Sequence, residues 1–155
     1  KIYNMITIED FKKKHINKVR FLGLDLGSKR IGISICDERQ SIATPFKTIN
    51  KTNTNDLIKD LLTIIEEYNI GGLIIGNPIN MDGSLGGSAQ SVKDIASNIS
   101  KSINLPVILW DERLSTIGAF NLSSPLDVNV SKRVKSIDQN AAAFILQGAI
   151  DFLNN

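Results

Sequence analysis

The sequence predicts a mixed α/β domain, in which three antiparallel strands feed two β–α crossovers and helices cover both faces of one sheet. Three observations carry this. The apolar runs 19–26 and 31–36 are joined by four turn residues, Gly27-Ser28-Lys29-Arg30, a link that allows only antiparallel pairing. Apolar residues fall at helical spacing after residue 50, through Leu57, Ile58, Leu61, Leu62, Ile65 and Tyr68, which marks an amphipathic helix. A short buried run, Leu73-Ile74-Ile75, follows that helix, as in a β–α–β unit.

Taken in order, residues 1–18 read as an N-terminal appendage, in which Ile8, Phe11 and Ile16 punctuate a polar stretch suited to a short amphipathic helix. Val19 to Leu26 is the first strand and Ile31 to Cys36 the second. Ser41 to Ile49 is the third, and Pro45 within it suits a sheet edge or a bulge. The first long helix ends at Gly71-Gly72, and the fourth strand ends at Gly76-Asn77-Pro78. A Gly- and Ser-rich loop, Asn80 to Gly87, leads to a helix over Ser88 to Ser102. Pro106 to Glu112 is the fifth strand. Ser123 to Val134 reads as a polar, mobile stretch, and Ile137 to Leu153 as a closing helix with Ala142, Ile145, Ala149 and Leu153 on one stripe. Right-handed crossovers place the later strands beside the first. The expected sheet is five-stranded and mixed, order 3-2-1-4-5 with strand 2 antiparallel, which is the RNase H-like architecture.

The chain has 155 residues, 42% of them hydrophobic. That length suits one domain and the composition argues against disorder. One cysteine, Cys36, rules out a disulfide framework and fits a reducing compartment. The longest apolar stretches reach about half of the ~20 residues that a membrane span needs, and no secretory pattern is visible. The expectation is therefore a cytoplasmic protein without a membrane partner. The net charge of +2 permits a polyanionic partner without demanding one. Lys12 to Lys14 cluster near the start, and Lys132, Arg133 and Lys135 near the end. Either cluster is also consistent with a merely solvated surface.

Three acids carry the chemistry. Asp25 lies within the apolar strand Leu22-Gly23-Leu24-Asp25-Leu26, where a charge is costly unless it is paired or bound to metal. The plainer reading is a turn residue ahead of Gly27. Asp111 and Glu112 end the fifth strand, where ligands gather in α/β sheets. Adjacent strand residues face opposite ways, so these two are expected to do different jobs. Either also suits a helix cap or a partner for Arg113. Asp138 opens the last helix, where it is either an N-cap or a ligand, since it shares the stripe of Ala142, Ile145 and Ala149. The first and fifth strands flank the fourth, so their axes lie about 9–10 Å apart. Two metal ions about 4 Å apart, with their carboxylate ligands, span a similar distance. Gly76 leaves the gap between them open, which favours Glu112 over Asp111.

The motifs Gly23-Leu24-Asp25-Leu26-Gly27-Ser28-Lys29-Arg30-Ile31-Gly32, Gly76-Asn77-Pro78 with Asp82-Gly83, and Asp111-Glu112-Arg113-Leu114-Ser115-Thr116 occur in that order. They are followed by Asp138 to Asp151, which contains Ala-Ala and Ile-Leu-Gln. Together they resemble the YqgF/RuvX family over about Val19 to Leu153. The resemblance departs at Asn77, where the family usually has Leu, and at Ser115, where it often has Thr. It implies an RNase H-like nuclease domain over 19–155, related to Holliday junction resolvases and described as processing pre-16S ribosomal RNA. It also implies that Asp25, Glu112 and Asp138 are the catalytic acids, with Asp111 beside them as a further candidate ligand. Hard carboxylates suit Mg²⁺ or Mn²⁺, two ions being expected. Lys29, Arg30, Arg113, Lys132, Arg133 and Lys135 are the expected phosphate contacts. The expected partner is nucleic acid, precursor rRNA or branched DNA, with a homodimer as a further candidate. Two other functions stay open. One is a junction-resolving DNA endonuclease, and the other is a nucleic-acid-binding factor without catalysis. A third reading, an ATP-binding relative of actin-type domains, lacks the second domain that clasps nucleotide.

Overall fold

The computed structural model describes residues 5–14, 18–50, 53–78, 86–112 and 130–155. The elements are β1 (Met5–Ile6), α1 (Ile8–Lys14), β2 (Arg20–Leu26), β3 (Arg30–Cys36), β4 (Ala43–Asn50), α2 (Thr54–Tyr68), β5 (Ile70–Asn77), α3 (Gly87–Ser102), β6 (Val107–Asp111) and α4 (Val130–Asn154). The sheet order is β1-β6-β5-β2-β3-β4. The pairings of β2 with β3 and of β3 with β4 are antiparallel, and those of β2 with β5 and β5 with β6 are parallel. The predicted order 3-2-1-4-5 is thus present. The sheet has six strands rather than five, because Met5 and Ile6 pair in parallel with Val107 and Ile108. The stretch containing them was read from the sequence only as a short amphipathic helix.

The pleat sends alternate residues to opposite sides, and each side has its own core. One holds Leu22, Leu24, Leu73 and Ile75 beneath Leu57, Leu61 and Ile64 of α2 and Val92, Ala96 and Ile99 of α3. The other holds Phe21, Ile74, Ile108 and Trp110 beneath Ile8 and Phe11 of α1 and Ile145, Leu146, Ala149 and Ile150 of α4. Phe11 meets Phe21 edge to face at 5.1 Å. Cys36 belongs to this second core. Its sulfur accepts a bond from the Phe21 N–H at 3.2 Å, and burial pushes its thiol up to about 11, which makes it a packing residue rather than a nucleophile.

Three boundaries differ from the sequence reading. Helix α2 ends at Asn69, which takes the left-handed conformation (φ 56°) and returns its N–H to the Ile65 carbonyl, as C-terminal caps do. Gly71 and Gly72 instead lie inside β5. There a Cβ on Gly71 would fall 2.5 Å from Val19 Cγ2, and one on Gly72 would fall 3.1 Å from the Phe11 ring. Those glycines are set by packing, not by a turn. Helix α4 starts at Val130, not at Ile137. Asp138 is therefore inside the helix and not its N-cap, and Lys132, Arg133 and Lys135 lie on helical backbone rather than in a mobile loop. Pro45 lies on the edge strand β4, next to a register shift opposite Ile33 and Ser34, as expected.

Candidate active site at the carboxyl end of the sheet

Strands β2, β5 and β6 run parallel and end together, at Leu26, Asn77 and Asp111. Position 25 follows Leu24, which faces the α2–α3 core, so Asp25 faces α4 along with Gly23. On β6, Trp110 faces α4, so Asp111, its last residue, faces the other way; Glu112 follows the strand, and its carboxylate lies on the α4 side beside Ile145. The Glu112 side chain lies over Gly76, and its Oε2 is 2.9 Å from where a Cβ on that glycine would stand. The same Cβ would fall 2.4 Å from Ile145 Cδ1. Any side chain at 76 would thus push against both the acid and the helix.

The Glu112 carboxyl is pushed from 4.5 to about 7. Burial is the largest cause, followed by the negative charges of Asp25 and Asp111. Desolvation and like-charge crowding both favour the neutral acid, and an adjacent cation would reverse both effects. The donor set is hard oxygen, which fits Mg²⁺ or Mn²⁺ rather than zinc. Among the described residues no group of three His, Cys, Asp or Glu stands close enough to hold a metal ion. The expected third acid, Asp138, is placed only by its backbone. It lies one turn before Ala142, whose carbonyl approaches Gly23.

The hairpin after Asp25 is tight. The Gly27 N–H donates to the Asp25 carbonyl at 3.1 Å, and a Cβ on Gly27 would meet the Arg30 carbonyl at 2.5 Å. This turn leaves Lys29 exposed and Arg30 half-buried beside the acids' end of the sheet. The side chains of Lys132, Arg133 and Lys135, and all of Arg113, lie outside the described residues, as does the Asp82-Gly83 loop.

The sequence reading gave no role to two residues next to this site. Asn77 pairs in register with Asp111, and its Oδ1 is buried without a hydrogen-bond partner among the described residues. Its only sequence signal was an amide in an apolar strand end. Ser34, fully buried, donates to the Ala142 carbonyl at 2.7 Å. That contact spans 108 residues of chain and leaves no trace in local pattern.

Fold and site together define an RNase H-like domain with an acidic cluster at the carboxyl end of its central strands. The RuvX family profile, described as "Holliday junction resolvase", matches residues 19–152, and the chain belongs to that family. A Pelagibacter ubique protein named "Putative pre-16S rRNA nuclease" is 85% identical over 151 residues, covering 97% of this chain and 100% of the relative. A Chelativorans protein of the same name is 43% identical, covering 97% of this chain and 94% of the relative. Among solved structures, Thermus thermophilus RuvC in complex with a Holliday junction substrate aligns with a TM-score of 0.53 at 11% identity, over 85% of this chain and 93% of that chain. At that identity the likeness concerns the fold alone.

Proposed function

We propose that this protein is a metal-dependent nuclease that hydrolyses nucleic-acid phosphodiester bonds, acting in the maturation of the 5′ end of pre-16S ribosomal RNA in the cytoplasm. The observation that carries the reading is the Glu112 carboxylate lying over Gly76, between β2 and β6, with its charge opposed by Asp25 and Asp111. Family membership and the names of close relatives support the substrate class. Among the described residues no helix is long and apolar enough to cross a membrane.

Asp25 and Glu112, with Asp138, would hold the metal ions, and Asp111 is a further candidate. When bound, Mg²⁺ or Mn²⁺ supplies an activated water and charge stabilisation on the leaving oxygen. The protein's part would be to hold the carboxylates together on rigid elements against their mutual repulsion. Glu112, half-ionised near pH 7, would give up its remaining proton to a bound cation at small cost. Lys29 and Arg30 neutralise backbone phosphate beside the acids, and Lys132, Arg133 and Lys135 do so from the first turns of α4. Such contacts give affinity rather than sequence choice.

The test is cleavage by wild type and by Asp25→Asn, Glu112→Gln and Asp138→Asn, with Mg²⁺ or Mn²⁺, of a pre-16S fragment and a four-way DNA junction. The reading expects metal-dependent cleavage of the RNA, lost in all three variants. Preference for the junction would move the protein to DNA resolution. Binding without cleavage, unaffected by the three substitutions, would make it a non-catalytic binding factor. The basic residues have a separate readout. Replacing Lys132, Arg133 and Lys135 together with Ala is expected to flatten log affinity against log salt by roughly 2–3 units on a duplex. An unchanged slope would leave them as solvated charges.

A further inference from the structure

Helix α4 comes close to the backbone of the sheet at Gly23. Gly23 of β2 and Ser34 of β3 are register partners. Above them the helix comes so near that a Cβ on Gly23 would stand 2.4 Å from Ser34 Oγ, 2.7 Å from Leu146 Cβ and 2.8 Å from the Ala142 carbonyl. The buried Ser34 hydroxyl donates its one hydrogen to that carbonyl at 2.7 Å, and the Gly23 carbonyl is also near, at 3.4 Å. Gly23 precedes Asp25 by two strand residues, about 6.6 Å. Ala142 follows Asp138 by four helical residues, about 6 Å. Ala142 is tied to Ser34, opposite Gly23, and Gln147 to Ala43, the partner of Cys36 and so nearer the start of β2; the helix therefore runs opposite to β2. The two acids therefore lie on the same side of the crossing, at similar distances from it.

We propose that Ser34 is a positioning residue of the metal site, whose hydroxyl fixes the separation between Asp25 and Asp138 by pinning α4 at Ala142. This rests on the three-acid reading given above. Without the hydroxyl the helix keeps its own bond to that carbonyl but loses this polar tie to the sheet. A small slide or roll there changes the 25–138 separation directly. Among the described residues, the ties through Gln147 and Asn154 lie further from the acids. The Gln147 amide accepts from the Ala43 N–H at 2.8 Å and donates to the Ser41 carbonyl at 3.0 Å, and Asn154 donates to the Gln40 carbonyl at 2.9 Å. They hold the C-terminal half of the helix to the β3–β4 end of the sheet, and they supply a control.

The experiment is Mn²⁺ titration calorimetry, below the melting temperature of every protein used. It compares wild type with Ser34→Ala, Ser34→Cys, Gln147→Ala, Asp138→Asn and the Ser34→Ala/Asp138→Asn double variant. Outer-shell supports of metal ligands typically contribute about 10–100-fold in affinity. Ser34 bonds no ligand directly, so Ser34→Ala is expected to weaken Mn²⁺ binding by the lower end of that range, about tenfold. Ser34→Cys, with a similar shape and a weaker donor, is expected to fall between it and wild type. Gln147→Ala is expected to stay within about threefold, although it too removes hydrogen bonds between helix and sheet. The double variant is expected to bind no more weakly than Asp138→Asn alone, since the two act through one ligand. Wild-type affinity in Ser34→Ala, an equal loss in Gln147→Ala, or additive losses in the double variant would overturn the assignment while leaving the metal site standing. Absence of Mn²⁺ binding by the wild type would overturn both.

Discussion

Glu112→Gln is expected to melt higher than the wild type at pH 8 and yet to lose cleavage. The Glu112 carboxyl titrates at about 7 in the folded chain against 4.5 in the reference state. Between those values the native chain holds more protons than the unfolded one, so stability falls as pH rises through that window. Below pH 4.5 both states are protonated and the group contributes nothing. Above about 7 the whole cost of ionising a half-buried acid beside Asp25 and Asp111 is present. Gln removes that cost while keeping the shape. The expected gain is roughly 1–2 kcal/mol at pH 8 after allowance for solvent screening, shrinking to about zero near pH 4. Activity is expected to drop by at least ~100-fold, equivalent to about 2.7 kcal/mol of lost transition-state stabilisation. Thermal melts at several pH values in chelator, together with cleavage assays, check both halves. A variant less stable than wild type at pH 8 would mean that Glu112 is already neutralised by a protein partner.

Gly23→Ala is expected to be the most damaging of the small substitutions. Its methyl would fall 2.4 Å from Ser34 Oγ and 2.8 Å from the Ala142 carbonyl, and one of these is helix backbone that moves only as a unit. The helix must lift, which stretches the Ser34–Ala142 bond and opens the packing of Leu146, Ala149 and Ile150. Overpacking together with a lost buried hydrogen bond amounts to roughly 3 kcal/mol or more. For a chain of this length that is a fall of about 6–12 °C in melting temperature. A melt within 2 °C of wild type would show that the crossing is looser than its geometry indicates.

The strand order and the central place of Asp25 were legible because long apolar runs, four-residue turns and crossover handedness leave few topologies. The gap above Gly76 was legible for a similar reason, since a glycine at a strand end between two acids has few other uses. Other features were hidden for physical reasons. A two-residue strand such as Met5–Ile6 is too short to show periodicity. The first turns of α4 have Val130, Val134 and Ile137 at helical spacing, but the polar residues between them, Ser131, Lys132, Arg133, Lys135 and Ser136, read as loop. Asn69 ends α2 through a left-handed residue, while the more conspicuous Gly71-Gly72 pair serves helix and strand packing. The Ser34 contact joins elements 108 residues apart, beyond any local pattern. Asp138, read from the sequence as a helix start, lies within the helix. Eight residues into the helix, it is not an N-cap.

The most direct test of the central claim, that these acids hold a divalent cation, is Mn²⁺ calorimetry at pH 7 in two buffers of different ionisation enthalpy. Because Glu112 titrates near 7, binding at that pH is expected to release roughly half a proton from it. The observed heat should then shift between buffers for the wild type. Glu112→Gln is expected to bind far more weakly and to lose the buffer dependence, and Asp25→Asn to bind weakly as well. Equal affinity and equal proton release in wild type, Asp25→Asn and Glu112→Gln would contradict the claim.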